Sequence, residues 1–179
     1  RARGGVATGW LLGDTGAMRI FGRATPGFWL PKDERAPLLL IGTGTGIAPL
    51  IGLLREQAME SASARETCLI FGEKRREGDF LYRGELESLR QQGTIGQLIT
   101  AFSRDGAGKY YVQDAIADHA EHISAMLQRG AHVYLCVNKQ HLENAVENAL
   151  TTVCGLAGQA EETLWQQLAQ QGRLHLELY

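Results

Sequence analysis

The chain has 179 residues, of which 44% are hydrophobic and 21% are charged, so it is long enough for one compact domain and short for two. Its 18 basic and 20 acidic residues give a formal net charge of −2, which argues against a protein that coats nucleic acid phosphates. The longest apolar run is far below the roughly 20 residues of a membrane span, and no signal segment opens the chain. We therefore expect a soluble protein with no nucleic acid partner and no membrane contact from this chain.

The cysteines Cys68, Cys136 and Cys154 show no metal-ligand spacing, and an odd number cannot pair completely. We expect reduced thiols and a cytoplasmic location, with membrane attachment of a longer parent protein left open. We also expect no metal site, because His119 and His122, three apart on a predicted helix, have no third ligand spaced to join them.

Short β-like runs alternate with helical patterns along most of the chain, which predicts an α/β fold with a doubly wound parallel sheet. The predicted strands are 18–22, 37–41, 67–72, 97–103, 131–137 and 174–179. The predicted helices are 48–61, 82–92, 112–128, 140–153 and 161–171. The stretch before residue 35 has mixed polarity and its own turn signals, so we predict two units, 1–34 and 35–179.

Three glycines, Gly42, Gly44 and Gly46, lie between the apolar strand 37–41 and the next helix. Glycines allow a close backbone approach, and a helix N-terminus offers N–H groups to a pyrophosphate, so the loop favours dinucleotide binding. It is not a P-loop, since no Gly-Lys-Ser/Thr follows, and its spacing departs from GxGxxG. A tight strand-to-helix turn without any ligand explains the same glycines, and both interpretations stay open here.

A second polar cluster follows the strand 97–103. Ser103, Arg104 and Lys109 can converge on one phosphate, with Tyr111 as an aromatic platform for adenine. Such a cluster is typical of a site for the 2′-phosphate of NADP(H). A solvated polar loop is the alternative, and NAD-type binding would instead use an acidic residue near the end of the second buried strand, where Glu73 stands among basic residues.

Four motifs together resemble the C-terminal NADP-binding module of the ferredoxin-NADP reductase superfamily, in its diflavin reductase branch. They are Gly-Thr-Gly-Thr-Gly-Ile-Ala-Pro at 42–49, Asp-Phe-Leu-Tyr-Arg-Gly-Glu-Leu at 79–86, Ala-Phe-Ser-Arg-Asp at 101–105 and Lys-Tyr-Tyr-Val-Gln at 109–113. The resemblance implies that the pyrophosphate is held by Gly44, Thr45 and Gly46. It also implies that the 2′-phosphate and adenosine are held by Ser103, Arg104, Lys109 and Tyr111, with Gln113 near the same ribose.

The N-terminal turn Gly5, Val6, Ala7 and Thr8 resembles the turn with which the FAD domain of this superfamily contacts the flavin pyrophosphate. We therefore expect 1–34 to be the C-terminal remnant of an FAD-binding β-barrel domain, and the chain to be part of a longer reductase.

The C-terminal run 172–179 resembles the end of the same superfamily, where an aromatic residue covers the flavin ring. The resemblance implies that Tyr179 covers the flavin ring. It also implies that Glu177 is the acidic residue that supports hydride transfer, and that Cys136 corresponds to the active-site cysteine of the family. An apolar edge strand and a buried cysteine need no catalytic purpose, so a structural role is the alternative for all three.

The resemblance implies an NADPH-dependent flavoprotein reductase that passes a hydride from NADPH to FAD and electrons onward to an acceptor protein or flavodoxin-like domain. FMN would belong to a domain outside this chain. Val137 and Asn138 depart from the family's Cys-Gly-Asp pattern. They support an alternative, a nucleotide-binding or interaction module that keeps the fold without hydride transfer.

Overall fold

The computed structural model describes Gly13 and residues 27–59, 65–138, 141–155 and 163–178. In these residues one parallel sheet is formed by β1 (Leu38–Thr43), β2 (Thr67–Glu73), β3 (Gln97–Phe102), β4 (His132–Val137) and β5 (Leu174–Leu178). The strand order is β3-β2-β1-β4-β5, which confirms the predicted doubly wound α/β fold. The predicted strand 18–22 lies outside the described residues, so the FAD-domain remnant stays a prediction.

Seven α-helices lie in the described part of the chain, and no helix there is both long enough and apolar enough to cross a membrane. They are α1 (Ile47–Met59), α2 (Arg76–Asp79), α3 (Arg83–Gln91), α4 (Val112–Asp118), α5 (Ala120–Gln128), α6 (His141–Val153) and α7 (Leu164–Gln170).

The single helix predicted over 112–128 is wrong, because the chain breaks at His119 into α4 and α5. The backbone of His119 has φ −113° and ψ 26°, outside the helical region, and its Nδ1 lies 2.9 Å from the carbonyl oxygen of Ala115. The break lets both short helices bury their own apolar residues, Ile116 and Ile123, in one core on the same face of the sheet.

The central strand β1 supplies side chains to two cores. Leu39 and Ile41 are fully buried against α4, α5, α6 and α7, whereas Leu38 and Leu40 are fully buried against α1 and α3. A continuous apolar run is what a parallel strand covered on both faces requires.

The strand order places a topological switch point between β1 and β4. The chain runs outward from β1 through β2 to β3, and then crosses to β4 and β5 on the other side of β1. In open parallel sheets a crevice forms at the carboxyl ends of the strands where the winding reverses, and ligands bind there.

The segment 27–36 packs on the face of the sheet that also carries α1. The hydroxyl of Tyr134 donates to the carbonyl of Trp29, and the ring of Phe28 meets the Tyr134 ring edge-on, with centroids 5.3 Å apart. Arg65, only 4% exposed, donates to the carbonyls of Asp33 at 3.1 Å and Ala36 at 3.4 Å. The boundary at residue 34 stays a prediction, but residues just before it pack on the same sheet as those after it.

Candidate functional site

A cleft of about 410 Å³ opens at the carboxyl ends of β1, β2 and β3. The first turns of α4 and α6 close its sides, so five elements that are distant in sequence contribute to one depression. Its lining consists of Thr43, Gly44, Thr45, Gly72, Glu73, Lys74, Ala101, Ser103, Tyr111, Val112, Asn138 and Leu142.

The turn between β1 and α1 forms one wall of the cleft. Gly44 has a φ of +53°, a left-handed conformation that favours glycine, and the three residues Gly44–Gly46 make a short 3-10 helix that leads into α1. Gly46 lies so close to β4 that a Cβ there would stand 2.1 Å from the carbonyl oxygen of Cys136. Since α1 has no acidic residue in its first turn, nothing on the helix itself offsets its positive N-terminal dipole end.

Gly72 forms part of the floor of the cleft. A Cβ at this position would lie 2.6 Å from Cγ1 of Val112 and 3.2 Å from Cγ2 of Thr43. The missing side chain therefore lets the end of β2 approach both β1 and the start of α4. Together with the turn at Gly44 and Gly46, it gives the cleft a backbone surface that a ligand can approach closely.

The loops after β2 and β3 are joined by main-chain hydrogen bonds. The N–H of Ser103 donates to the carbonyl of Glu73 at 2.9 Å, and the N–H of Arg104 donates to the carbonyl of Lys74 at 2.8 Å. Arg104 and Lys109 are exposed, and neither side chain forms a hydrogen bond or ion pair with any described residue. Both cations are therefore available to an anion.

The start of α4 places an aromatic ring on the cleft. The N–H of Tyr111 donates to the carboxylate of Asp114 at 2.8 Å, which fixes the first turn, and the Tyr111 side chain stays 38% exposed. Gln113, in the same turn, does not line the cleft, and its buried Oε1 has no hydrogen-bond partner among the described residues. Tyr111 is therefore accessible to a planar ligand.

Four predicted site residues meet in this cleft, namely Gly44, Thr45, Ser103 and Tyr111. Gly46 supports the same turn from behind, whereas Arg104, Lys109 and Gln113 lie next to the lining rather than in it. The predicted residues Gly5, Val6, Ala7, Thr8 and Tyr179 lie outside the described residues. The functional roles predicted for all of these residues stay predictions.

Cys136 and Glu177 are neighbours, but they lie outside the cleft lining. The two residues are paired across β4 and β5, and Cys136 is 1% exposed in the core beneath α1. Burial, helped by the charge of Glu177, raises the pKa of the Cys136 thiol to about 11, so the thiol is protonated at neutral pH. These groups can hold a proton next to the switch point but do not touch the phosphate end.

The two departures from the family pattern have different surroundings. Val137 is fully buried in the core formed with α4 to α7, whereas Asn138 is exposed and lines the cleft. The branched side chain of Val137 therefore does not point into the cleft.

Six lining residues had no role predicted from the sequence, namely Thr43, Gly72, Lys74, Ala101, Val112 and Leu142. Gly72 had a usable signal in the sequence, because a glycine within a buried strand often marks a close approach of another element. Leu142 had no such signal, since it reaches the cleft only through the crossover from β4 to α6. In the described residues, no three His, Cys, Asp or Glu side chains are grouped to hold a metal ion.

Residues 40–148 match the family described as the oxidoreductase NAD-binding domain. The chain is 39% identical to the sulfite reductase [NADPH] flavoprotein alpha-component of Neisseria meningitidis over 165 residues, which cover 90% of this chain and 27% of the relative. It is 34% identical to the human NADPH--cytochrome P450 reductase over 171 residues, which cover 90% of this chain and 25% of that relative.

The chain therefore spans about a quarter of the length of these curated relatives. The matched residues include the glycine turn, both loops beside the cleft and the switch point at β4. The predicted resemblance is confirmed, and the chain belongs to the oxidoreductase NAD-binding domain family.

Proposed function

We propose that this chain binds NADPH for a flavoprotein reductase whose remaining parts lie outside it. The single observation that carries the proposal is the cleft at the strand ends, whose lining brings the glycine-built turn at Gly44 together with Ser103, the residue that directly precedes the available cation Arg104. A dinucleotide with an additional phosphate requires both of these surfaces.

The residues present fit such a nucleotide. The backbone at Gly44 and Gly46 and the N-terminus of α1, whose first turn carries no acidic residue, suit a pyrophosphate. Ser103, Arg104 and Lys109 supply a hydroxyl and two cations for the 2′-phosphate. Tyr111 supplies an exposed ring on which adenine can stack.

At the other end of the switch point, β4 and β5 supply Cys136 and Glu177. When bound, NADPH supplies a hydride for an acceptor flavin, and FAD is the acceptor that the family resemblance implies. The chain's own part is to orient the nucleotide and to keep protonatable groups nearby. The protonated thiol of Cys136 beside the Glu177 carboxylate supports this role.

The names of the relatives support the same function, because both are NADPH-linked and one is called a flavoprotein. An electron-acceptor protein or flavodoxin-like domain is accordingly the partner we propose. We further propose that FAD is held with the help of Gly5, Val6, Ala7 and Thr8, and that FMN belongs to a further domain. The proposed location is cytoplasmic.

Titration of the purified chain with NADPH and with NADH tests this function. We expect NADPH to bind more tightly, and the variant Arg104→Ala to weaken NADPH by about 1.5 to 3 kcal/mol while changing NADH little, because it removes a charge-assisted contact. Arg90→Ala, an exposed arginine on α3 outside the cleft lining, is the matched control. Equal affinity for both nucleotides, or no binding of either, would contradict the proposal.

The alternative function is a nucleotide-binding module without hydride transfer, and the observation that favours it is Asn138 in the cleft lining. Rapid mixing of NADPH with the full-length flavin-loaded protein separates the two. Bleaching of the flavin absorbance supports the reductase, and nucleotide binding without bleaching supports the module.

A further inference from the structure

Glu73 places a carboxylate in the cleft where the proposed 2′-phosphate site lies. It is the last residue of β2, it is half-buried, and it lines the cleft beside Lys74, Ser103 and Tyr111. Its own carbonyl accepts the N–H of Ser103 at 2.9 Å and the Ser103 hydroxyl at 3.4 Å. The acidic residue and the phosphate-binding hydroxyl are therefore fixed to each other through the backbone.

The carboxylate of Glu73 has one oxygen engaged and one available. Oε1 accepts the N–H of Lys74 at 2.9 Å. Throughout the described ranges, no lysine or arginine forms an ion pair with Glu73. The guanidinium of Arg76, another nearby cation, is engaged by the carboxylate of Asp105 at 4.0 Å, by the hydroxyl of Thr100 at 3.2 Å and by the ring of Phe102. The negative charge of Glu73 is thus not neutralised by a direct partner.

Such a carboxylate acts in opposite directions on the two nicotinamide nucleotides. It accepts a hydrogen bond well from a ribose 2′-hydroxyl, which is how an acidic residue at the end of the second strand selects NAD in doubly wound folds. It repels a 2′-phosphate, because like charges at close range in a partly desolvated cleft disfavour each other. Arg104 and Lys109 act in the opposite sense on the 2′-phosphate, because their positive charges attract it.

We infer that Glu73 is a specificity-determining residue. The cations make the cleft prefer NADPH over NADH, and the carboxylate of Glu73 reduces that preference. The inference rests on the proposed function. It assigns to one cleft the two opposing devices, cations for the phosphate and a carboxylate for the hydroxyl. The chain accordingly binds NADH measurably, with NADPH still favoured.

Glu73→Gln tests the charge while keeping an oxygen that accepts the Lys74 N–H. We expect the ratio of the dissociation constants of NADH and NADPH to rise about tenfold at low ionic strength, mainly through tighter NADPH binding. The increase shrinks with added salt, since it is electrostatic. Glu77→Gln, which neutralises an exposed carboxylate on α2 outside the cleft lining, is the matched control and leaves the ratio unchanged.

Glu73→Ala tests the hydrogen bond, and we expect it to weaken NADH about fivefold relative to Glu73→Gln. Thermal melting without nucleotide establishes that each variant is folded. If the unaltered chain binds NADPH but Glu73→Gln leaves the ratio unchanged, this inference is wrong and the proposed function stands. If the unaltered chain binds neither nucleotide, the proposed function fails and the inference with it.

Discussion

The two sides of the switch point are built in opposite ways. Beside β2 and β3 the loops are exposed, polar and joined by main-chain hydrogen bonds such as that from Arg104 to Lys74. Beside β4 and β5 the sheet face is covered by residues 27–36. There the fully buried Tyr134 bonds to Trp29, and its ring stacks on His175 with centroids 4.1 Å apart.

The difference separates the tasks of holding a ligand and of holding the fold. Exposed hydrogen bonds and unpaired cations each contribute little to stability, but they leave side chains available to an anion. Buried rings and a guanidinium with carbonyl partners fix the chain and leave few groups available. Substitutions on one side should therefore change affinity, and those on the other side should change the free energy of unfolding.

The largest effect is expected at the point where the two sides meet. Gly46→Ala places a Cβ 2.1 Å from the Cys136 carbonyl oxygen, a backbone atom that cannot move aside cheaply. We expect the free energy of unfolding, measured with urea, to fall by about 3 kcal/mol. Gly52→Ala is the control, because Gly52 is exposed in the middle of α1 and no atom lies within 4 Å of a Cβ added there. Its free energy of unfolding should rise by about 0.5 to 1 kcal/mol. Equal effects of the two variants would contradict the clash.

A second substitution addresses the covered side alone. Arg65→Leu removes from a buried position the donors to the carbonyls of Asp33 and Ala36. We therefore expect the free energy of unfolding, measured with urea, to fall by about 2 kcal/mol. The nucleotide affinity of the folded protein should stay unchanged. Arg35→Leu, at an exposed arginine between Asp33 and Ala36, is the control, and its free energy of unfolding should stay within about 0.5 kcal/mol of the parent value. A change in the NADPH dissociation constant of folded Arg65→Leu would contradict the expectation that the covered side affects stability alone.

The covered side should also respond to acid. Burial, followed by the charge of His175, lowers the pKa of His132 from about 6.5 to about 4, and burial lowers the pKa of His175 as well. The unfolded chain therefore takes up protons that the native chain resists, so stability falls as the pH drops from about 6.5 towards 4.

Thermal unfolding measured across this pH range checks the effect. In His132→Gln, stability should fall less steeply as the pH drops. Tyr134→Phe serves as the control because it removes the bond to Trp29 without removing an imidazole, so it should lower stability by a similar amount at every pH in the range. If the stability of His132→Gln declines with falling pH as steeply as that of the parent, the low pKa of His132 is not the source of the decline.

The smallest expected effect lies in the polar loops. Asp105 accepts the N–H of Arg76 at 3.1 Å and so helps to align the loop after β3 with the loop after β2. Asp105→Ala should raise the dissociation constant of NADPH about threefold, because the loop is less well ordered, with little change in urea stability. Glu77→Gln again provides the comparison, and equal affinities for the two variants would show that the alignment has no effect on binding.

The fold was largely predictable because its signals are local. The run Leu38–Ile41 is apolar throughout, and only a strand buried on both faces needs that pattern. The break at His119 was not predictable, since the helical spacing of apolar residues continues across it to Ile123 and only the backbone angles of His119 reveal it.

The candidate site was predictable in part for the same reason. Gly44, Thr45 and Ser103 were recognisable in the sequence, because they stand in short motifs directly after buried strands. Val112 and Leu142 do not, since apolar residues at helix starts are common and their place in the cleft depends on how α4 and α6 cross the sheet. That Cys136 lies outside the cleft likewise required the strand register.

The close approach of Gly46 to the Cys136 carbonyl connects the turn after β1 directly to strand β4. A ligand that pulls on the turn after β1 displaces atoms already touching β4, with no intervening side chain to absorb the motion. We therefore expect nucleotide binding in the cleft to change the amide chemical shifts of the strand that carries Cys136.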